Sequence, residues 1–256
     1  MTNPRRHLLI AGAAWVLLSV VGMALLAGVQ ILPTVASNEA DVEDRAFVLL
    51  TVVAMPVLML VVVGLVYSAI RFRARADDEE DGPPIHGHRG FQALWVGVSS
   101  VMVVGLFGYG AAGLLEIRGA QNADYEINVT AEQWRWHFEY PGYELDLREL
   151  HVPLGERVRL NVTSLDAIHS FWVPAFGVKQ DAVPGHVTTI YVTVTAAGDY
   201  GGMCAELCGL GHTGMTFPVV AQPMADLTEW LDTQPPPEPP PSGEPPPGES
   251  PGESPH

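Results

Sequence analysis

Three runs of apolar residues dominate the first half of the chain, at 8–32, 46–70 and 91–115. Each is long enough to cross a hydrocarbon core of roughly 30 Å as a helix. Beyond Glu116 the pattern changes. Segments such as 126–130, 134–140, 157–163 and 187–195 alternate or are rich in Val, Ile, Thr and aromatic residues, and HVTTIYVTVTA has a clear two-residue period. Pro and Gly clusters separate them, at Pro141-Gly142, Pro153-Leu154-Gly155, Pro184-Gly185 and Gly198. Short strands spaced this way over roughly a hundred residues predict an all-β sandwich or small barrel. A short helix is expected over 224–232.

These patterns divide the chain into four parts. Residues 1–36 form a signal peptide or a first transmembrane helix: Arg5 and Arg6 precede a long apolar run, and Thr34-Val35-Ala36 tilts the choice towards a cleaved signal. Residues 37–118 form a transmembrane hairpin with helices at about 46–70 and 91–115, and residues 119–234 form the β domain. The tail, 235–256, is rich in Pro, Gly, Glu and Ser, cannot bury a core, and is expected to be disordered or partly polyproline II.

Charge sets the topology. Arg71, Arg73 and Arg75 follow the second apolar run at once, which holds that end in the cytoplasm. The acidic segment Glu39, Asp41, Glu43, Asp44 then lies outside, and the third run returns the chain, so the β domain is extracytoplasmic on a multi-pass plasma-membrane protein. Of the net charge of −16, residues 116–256 contribute 20 Asp/Glu against 6 Lys/Arg. That balance excludes nucleic acid as a partner and favours a basic protein. The apolar cores contain no histidine, His86 and His88 lying in the connecting loop, so the membrane part has no axial ligands for a haem.

The chemistry is concentrated in MCAELCGLGHTGM, which holds the only two cysteines, Cys204 and Cys208, followed by His212 and Met215. A disulfide suits the compartment but leaves the imidazole and thioether without purpose. Structural zinc accepts cysteine and histidine but has little use for a thioether. Copper accounts for every residue type. Two thiolates on one loop can each bridge two copper ions, each ion then needing one terminal imidazole. His212 is the local one, and His169 in LDAIHSFWVP the upstream one. Met215 offers a weak ligand to one ion, and the backbone carbonyl of Glu206 can serve the other.

This constellation resembles the binuclear copper (CuA) subunit II of cytochrome c oxidase, through the membrane runs, QWRWHFEYPGYE, DAIHSFWVPAFGVKQDAVPG and GDYGGMCAELCGLGHTGM. The resemblance implies a cupredoxin-like β domain behind the membrane helices and a role as the electron-accepting subunit of a terminal haem–copper oxidase. Its partners would be haem-bearing subunit I, other oxidase subunits, membrane lipid, and cytochrome c or a bound cytochrome domain as donor. It implies that Trp134 is the point of electron uptake. The Glu206 side chain would help bind magnesium or manganese at the contact with subunit I, and Asp181 falls in a subunit-contact region. His137 and His151 are read as packing or surface residues.

Two departures from the family pattern stand out. His186 follows Pro-Gly where arginine is common. Gln92, three residues before Trp95, replaces the glutamate that begins a proton path in many members, and an amide cannot titrate. The latter gives a copper-containing nitric oxide reductase subunit as the alternative function.

Overall fold

A computed structural model describes residues 4–29, 32–73, 87–119 and 122–236. Arg75, His86 and the tail from 237 onward lie outside the described residues. The chain divides into two units, one of Met1–Asn122 with Pro174–Val178, the other of Ala123–Val173 with Lys179–His256.

In the first unit, the helices are α1 (Pro4–Ala27), α2 (Asn38–Arg71) and α3 (Arg89–Arg118). All three are long and apolar enough to cross a membrane. Helices α2 and α3 exceed the expected spans of 46–70 and 91–115, because hydropathy marks where a helix is apolar and caps decide where it begins. Ser37 caps α2 by accepting from the Ala40 N–H at 3.0 Å, and Glu39 and Asp41 fall in its first turn, where acidic side chains suit the helix dipole. The acidic segment is therefore helical. His88 caps α3 through Nδ1, which accepts from the Phe91 N–H at 3.0 Å. Gln92 sits exposed in the turn that follows.

Helix α1 packs on α2: Trp15 Nε1 donates to the Pro56 carbonyl at 2.8 Å, and a Cβ at Gly22 would fall 2.7 Å from Met55 Sδ. Residues 174–178, expected in the β domain, cluster with this unit. The Ala36 N–H donates to the Ala175 carbonyl at 2.9 Å, and Ser37 Oγ donates to the Phe176 carbonyl at 2.7 Å. Gly177 lies so close to Ala40 that a Cβ would sit 2.7 Å from its Cα, and its φ of +60° also favours glycine.

The second unit is a β-sandwich of cupredoxin-like fold. Its strands are β1 (Tyr125–Glu132), β2 (Arg135–Glu139), β3 (Leu150–Pro153), β4 (Arg157–Ser164), β5 (His169–Val173), β6 (Val178–Ala182), β7 (Thr188–Thr193), β8 (Gly198–Cys204) and β9 (Thr216–Gln222). One sheet has the order β2-β1-β4-β7, the other β3-β9-β8-β5-β6. The pairs β1/β4 and β3/β9 are parallel. Alternation along β4 is complete, with Val158, Leu160, Val162 and Ser164 buried and the intervening residues partly exposed. Phe217 fills the centre, its ring 5.5 Å from Trp136, 5.1 Å from Phe138 and 5.3 Å from Phe171. Gly202 accommodates it: a Cβ there would fall 2.0 Å from the ring.

Helix α4 (Met224–Thr233) buries Leu227 and Leu231. The His151 ring stacks on Trp230 at 3.5 Å and 7°, while the Tyr140 hydroxyl accepts from the His151 N–H at 2.7 Å and donates to its carbonyl at 2.8 Å. Gln222 Nε2 lies 3.2 Å from His151 Nδ1, and Glu149 3.5 Å from Nε2. Burial lowers the imidazole pKa, outweighing the opposing pull of the Glu149 and Asp199 carboxylates. The folded state therefore favours neutral His151, and the unfolded chain binds this proton more readily. The contribution is complete above the unfolded pKa of about 6.5 and is lost as pH falls below it. The melting temperature of the β domain is expected to drop from pH 7.5 to pH 5.5, with a shallower drop in His151→Gln, as followed by tryptophan fluorescence. Equal slopes would remove His151 from the account.

Candidate metal centre

The start of β5 and the loop from β8 to β9 bring the expected donors together. Strand pairing sets Phe171 opposite Cys204, so His169, two positions before Phe171, faces the cysteine loop. The Ala205 N–H donates to the Ser170 carbonyl at 2.8 Å, and the Cys204 N–H donates to the Met215 carbonyl at 2.9 Å, fastening both ends of the loop to strands.

Around this frame, Cys204 Sγ lies 3.8 Å from Cys208 Sγ, 3.9 Å from His169 Nδ1 and 3.2 Å from the Glu206 carbonyl. Cys208 Sγ lies 3.6 Å from His212 Nδ1 and 3.7 Å from Met215 Sδ. The ligand atoms of His169, Cys204 and Cys208 lie within 4.8 Å of one another, a group able to hold a metal ion. Both cysteines are buried free thiols. Burial, reinforced by Cys204, pushes the Cys208 thiol up to about 11, so metal binding must displace protons. Two thiols, two ring nitrogens, a thioether and a carbonyl form a soft donor set, which fits copper better than zinc.

Asp166, which the sequence reading passed over, organises the imidazole. Its Oδ1 is 2.9 Å from His169 Nε2 and accepts from the Ala167 N–H at 2.6 Å, while Oδ2 accepts from the Gln133 N–H at 2.7 Å. Partial burial disfavours its ionised form, but these hydrogen bonds outweigh that and hold the carboxyl below its ordinary range. With Nε2 donating to Asp166, Nδ1 is left as a lone-pair donor towards Cys204. An aspartate three residues before a candidate histidine was the only available signal.

Trp134 is 40% exposed, and its Nε1 donates to the Cys208 carbonyl at 3.2 Å; Gln133 Nε2 donates to the same oxygen at 2.6 Å. Trp136 is core, 2% exposed, its ring centroid 6.2 Å from that of His169 in a T-shaped arrangement. The Glu206 side chain points to solvent. Asp181 accepts from Ser170 Oγ at 2.7 Å, a bond within the β domain. His137 sits apart, within hydrogen-bonding distance of Asp146 at 2.8 Å and Glu132 at 3.0 Å, with no soft ligand beside it among the described residues.

Residues 144–224, which include the whole cysteine loop, match the family described as cytochrome C oxidase subunit II, periplasmic domain. The chain is similar to subunit II of cytochrome c oxidases, in the β domain and beyond it. Cytochrome c oxidase subunit 2 of Synechocystis sp. is 29% identical, over 80% of this chain and 76% of that protein. Its counterpart in Thermostichus vulcanus is 28% identical, over 78% and 77%. Among solved structures, the periplasmic domain of subunit II of cytochrome oxidase of Bradyrhizobium japonicum is similar at 32% identity, covering 44% of this chain and 94% of that one, with a TM-score of 0.42. The match of the β domain to a periplasmic-domain family, together with three helices long and apolar enough to cross a membrane, points to a membrane protein carrying an extracytoplasmic domain. The relatives are oxidase subunits, so the nitric oxide reductase alternative gains no support.

Proposed function

We propose that this chain is the electron-accepting subunit of a terminal haem–copper oxidase in the plasma membrane. It takes electrons from cytochrome c, or from a bound cytochrome domain, and passes them to haem in subunit I. There oxygen is reduced and protons are translocated. The convergence of six soft or neutral donors at the end of one sandwich, with both thiols buried and unpaired, carries this reading.

His169, Cys204, the Glu206 carbonyl, Cys208, His212 and Met215 would hold two copper ions, which supply reversible one-electron storage when bound. The chain's own residues do the rest. Asp166 fixes the His169 tautomer. Strand-anchored ends hold the ligand loop still, which keeps the geometry similar in both oxidation states. Trp134 reaches solvent on one side and the Cys208 carbonyl on the other, as a point of electron uptake would. The exposed Glu206 carboxylate would contribute to a magnesium or manganese site at the contact with subunit I.

The acidic domain suits a basic donor, because opposite charge raises encounter rates and makes them sensitive to salt. Turnover of the purified oxidase with cytochrome c is expected to fall steeply between low and physiological ionic strength, at constant copper content. Rates indifferent to salt would remove the docking step from this account.

A further inference from the structure

Resting on the reading of Trp134 as the point of electron uptake, we propose that Gly211 is a positioning residue for that step. Its lack of a side chain is what allows the indole to lie against the ligand loop. A Cβ at Gly211 would fall 2.4 Å from Trp134 Cδ2, 2.6 Å from Cγ and 2.8 Å from Cε3. These are atoms of a rigid ring next to its attachment point, so the whole indole must move to admit a methyl group.

The backbone gives no reason for glycine here. Gly211 has φ −90° and ψ 5°, a conformation open to ordinary L-residues. Gly209, two positions earlier, is different: its φ of +117° requires glycine by itself, and its Cβ would meet the ring only at 3.4 Å. Of the two glycines facing the indole, Gly211 is therefore the one whose vacancy serves the ring alone. The displaced ring has somewhere to go, because Trp134 is 40% exposed, while the Cys208 carbonyl would keep its bond from Gln133 Nε2. What is lost is the Trp134 Nε1 bond to Cys208 and the close stacking of indole on loop.

In the step concerned, a reduced c-type cytochrome gives up one electron and the metal centre gains one, no atom being transferred. Gly211→Ala should slow it without changing the centre itself, since misplacing one component of a reaction path by about 1 Å can cost ~10–100-fold.

The test compares Gly211→Ala, Trp134→Ala and the double variant in the assembled oxidase. Electron uptake from reduced cytochrome c is followed by stopped flow, alongside copper content and the electron paramagnetic resonance spectrum. Uptake should fall ~10-fold or more in Gly211→Ala with copper and spectrum retained. In the double variant it should equal Trp134→Ala alone, because the methyl group then has no ring to displace. Wild-type uptake in Gly211→Ala, with Trp134→Ala slow, would overturn the proposal. So would a further loss in the double variant, which would mean that the methyl group acts on the ligands. If Gly211→Ala loses copper, its recovery in the double variant would support the steric account and its continued loss would overturn it. Wild-type uptake in Trp134→Ala would instead remove the reading of Trp134, and the role of Gly211 with it.

Discussion

Replacing Cys204 with serine is expected to abolish the proposed paired-metal centre while leaving the fold in place. The two side chains have nearly the same shape, and the backbone bonds that fasten this position, from the Cys204 N–H to Met215 and from the Ala205 N–H to Ser170, do not involve the sulfur. The hydroxyl is a hard donor, whereas copper favours soft sulfur, so serine cannot replace a thiolate shared between two ions. Changes outside a ligand set typically cost ~10–100-fold in metal affinity or activity, and loss of a bridging ligand should exceed that. Metal analysis should return fewer than two coppers per chain. The hyperfine pattern of an electron shared equally by two copper nuclei should disappear, and electron delivery from cytochrome c should fall to background. Two coppers and normal delivery in Cys204→Ser would end the binuclear reading.

Trp136→Ala is expected to be the most damaging substitution for stability. The ring is 2% exposed, and its centroid lies 5.8 Å from that of Phe171, 5.5 Å from that of Phe217 and 6.2 Å from that of His169. Truncating such a residue leaves a cavity that the surrounding aromatics fill only in part, at a cost of about 3–5 kcal/mol. Against a total of about 5–15 kcal/mol that is severe, and the melting temperature of the β domain should fall by more than ~10 °C. Trp136→Phe should lose less. It keeps most of the ring volume and deletes an indole N–H that is buried without a hydrogen-bond partner among the described residues. A drop of only a degree or two in Trp136→Ala would show that the ring is not a core element.

The soft donors were legible in the sequence because two cysteines, a histidine and a methionine within thirteen residues have few uses other than metal binding. Long apolar runs likewise announced the helices. What escaped depended on space or on partners far along the chain. Strand β8, GDYGGMC, is too rich in glycine to look like a strand; its Gly202 makes room for the Phe217 ring, which only the folded sandwich reveals. Asp166 looks like any acidic loop residue until Gln133 and His169 are brought to it. The start of α2 at Asn38 depended on one serine cap, and the clustering of residues 174–178 with the helices on backbone contacts that no side-chain pattern encodes.

The pairing of β5 with β8 has a consequence for maturation. His169 and Cys204 stand 35 positions apart and meet only across that ladder, and the second sheet is completed by the parallel pairing of Leu150 with Val219, a still longer closure. Contacts of such separation form late, after much chain entropy has been surrendered. A chain in which that ladder has not formed lacks the His169 side of the cradle, so an ion that needs all six donors can be held only once the sandwich has closed.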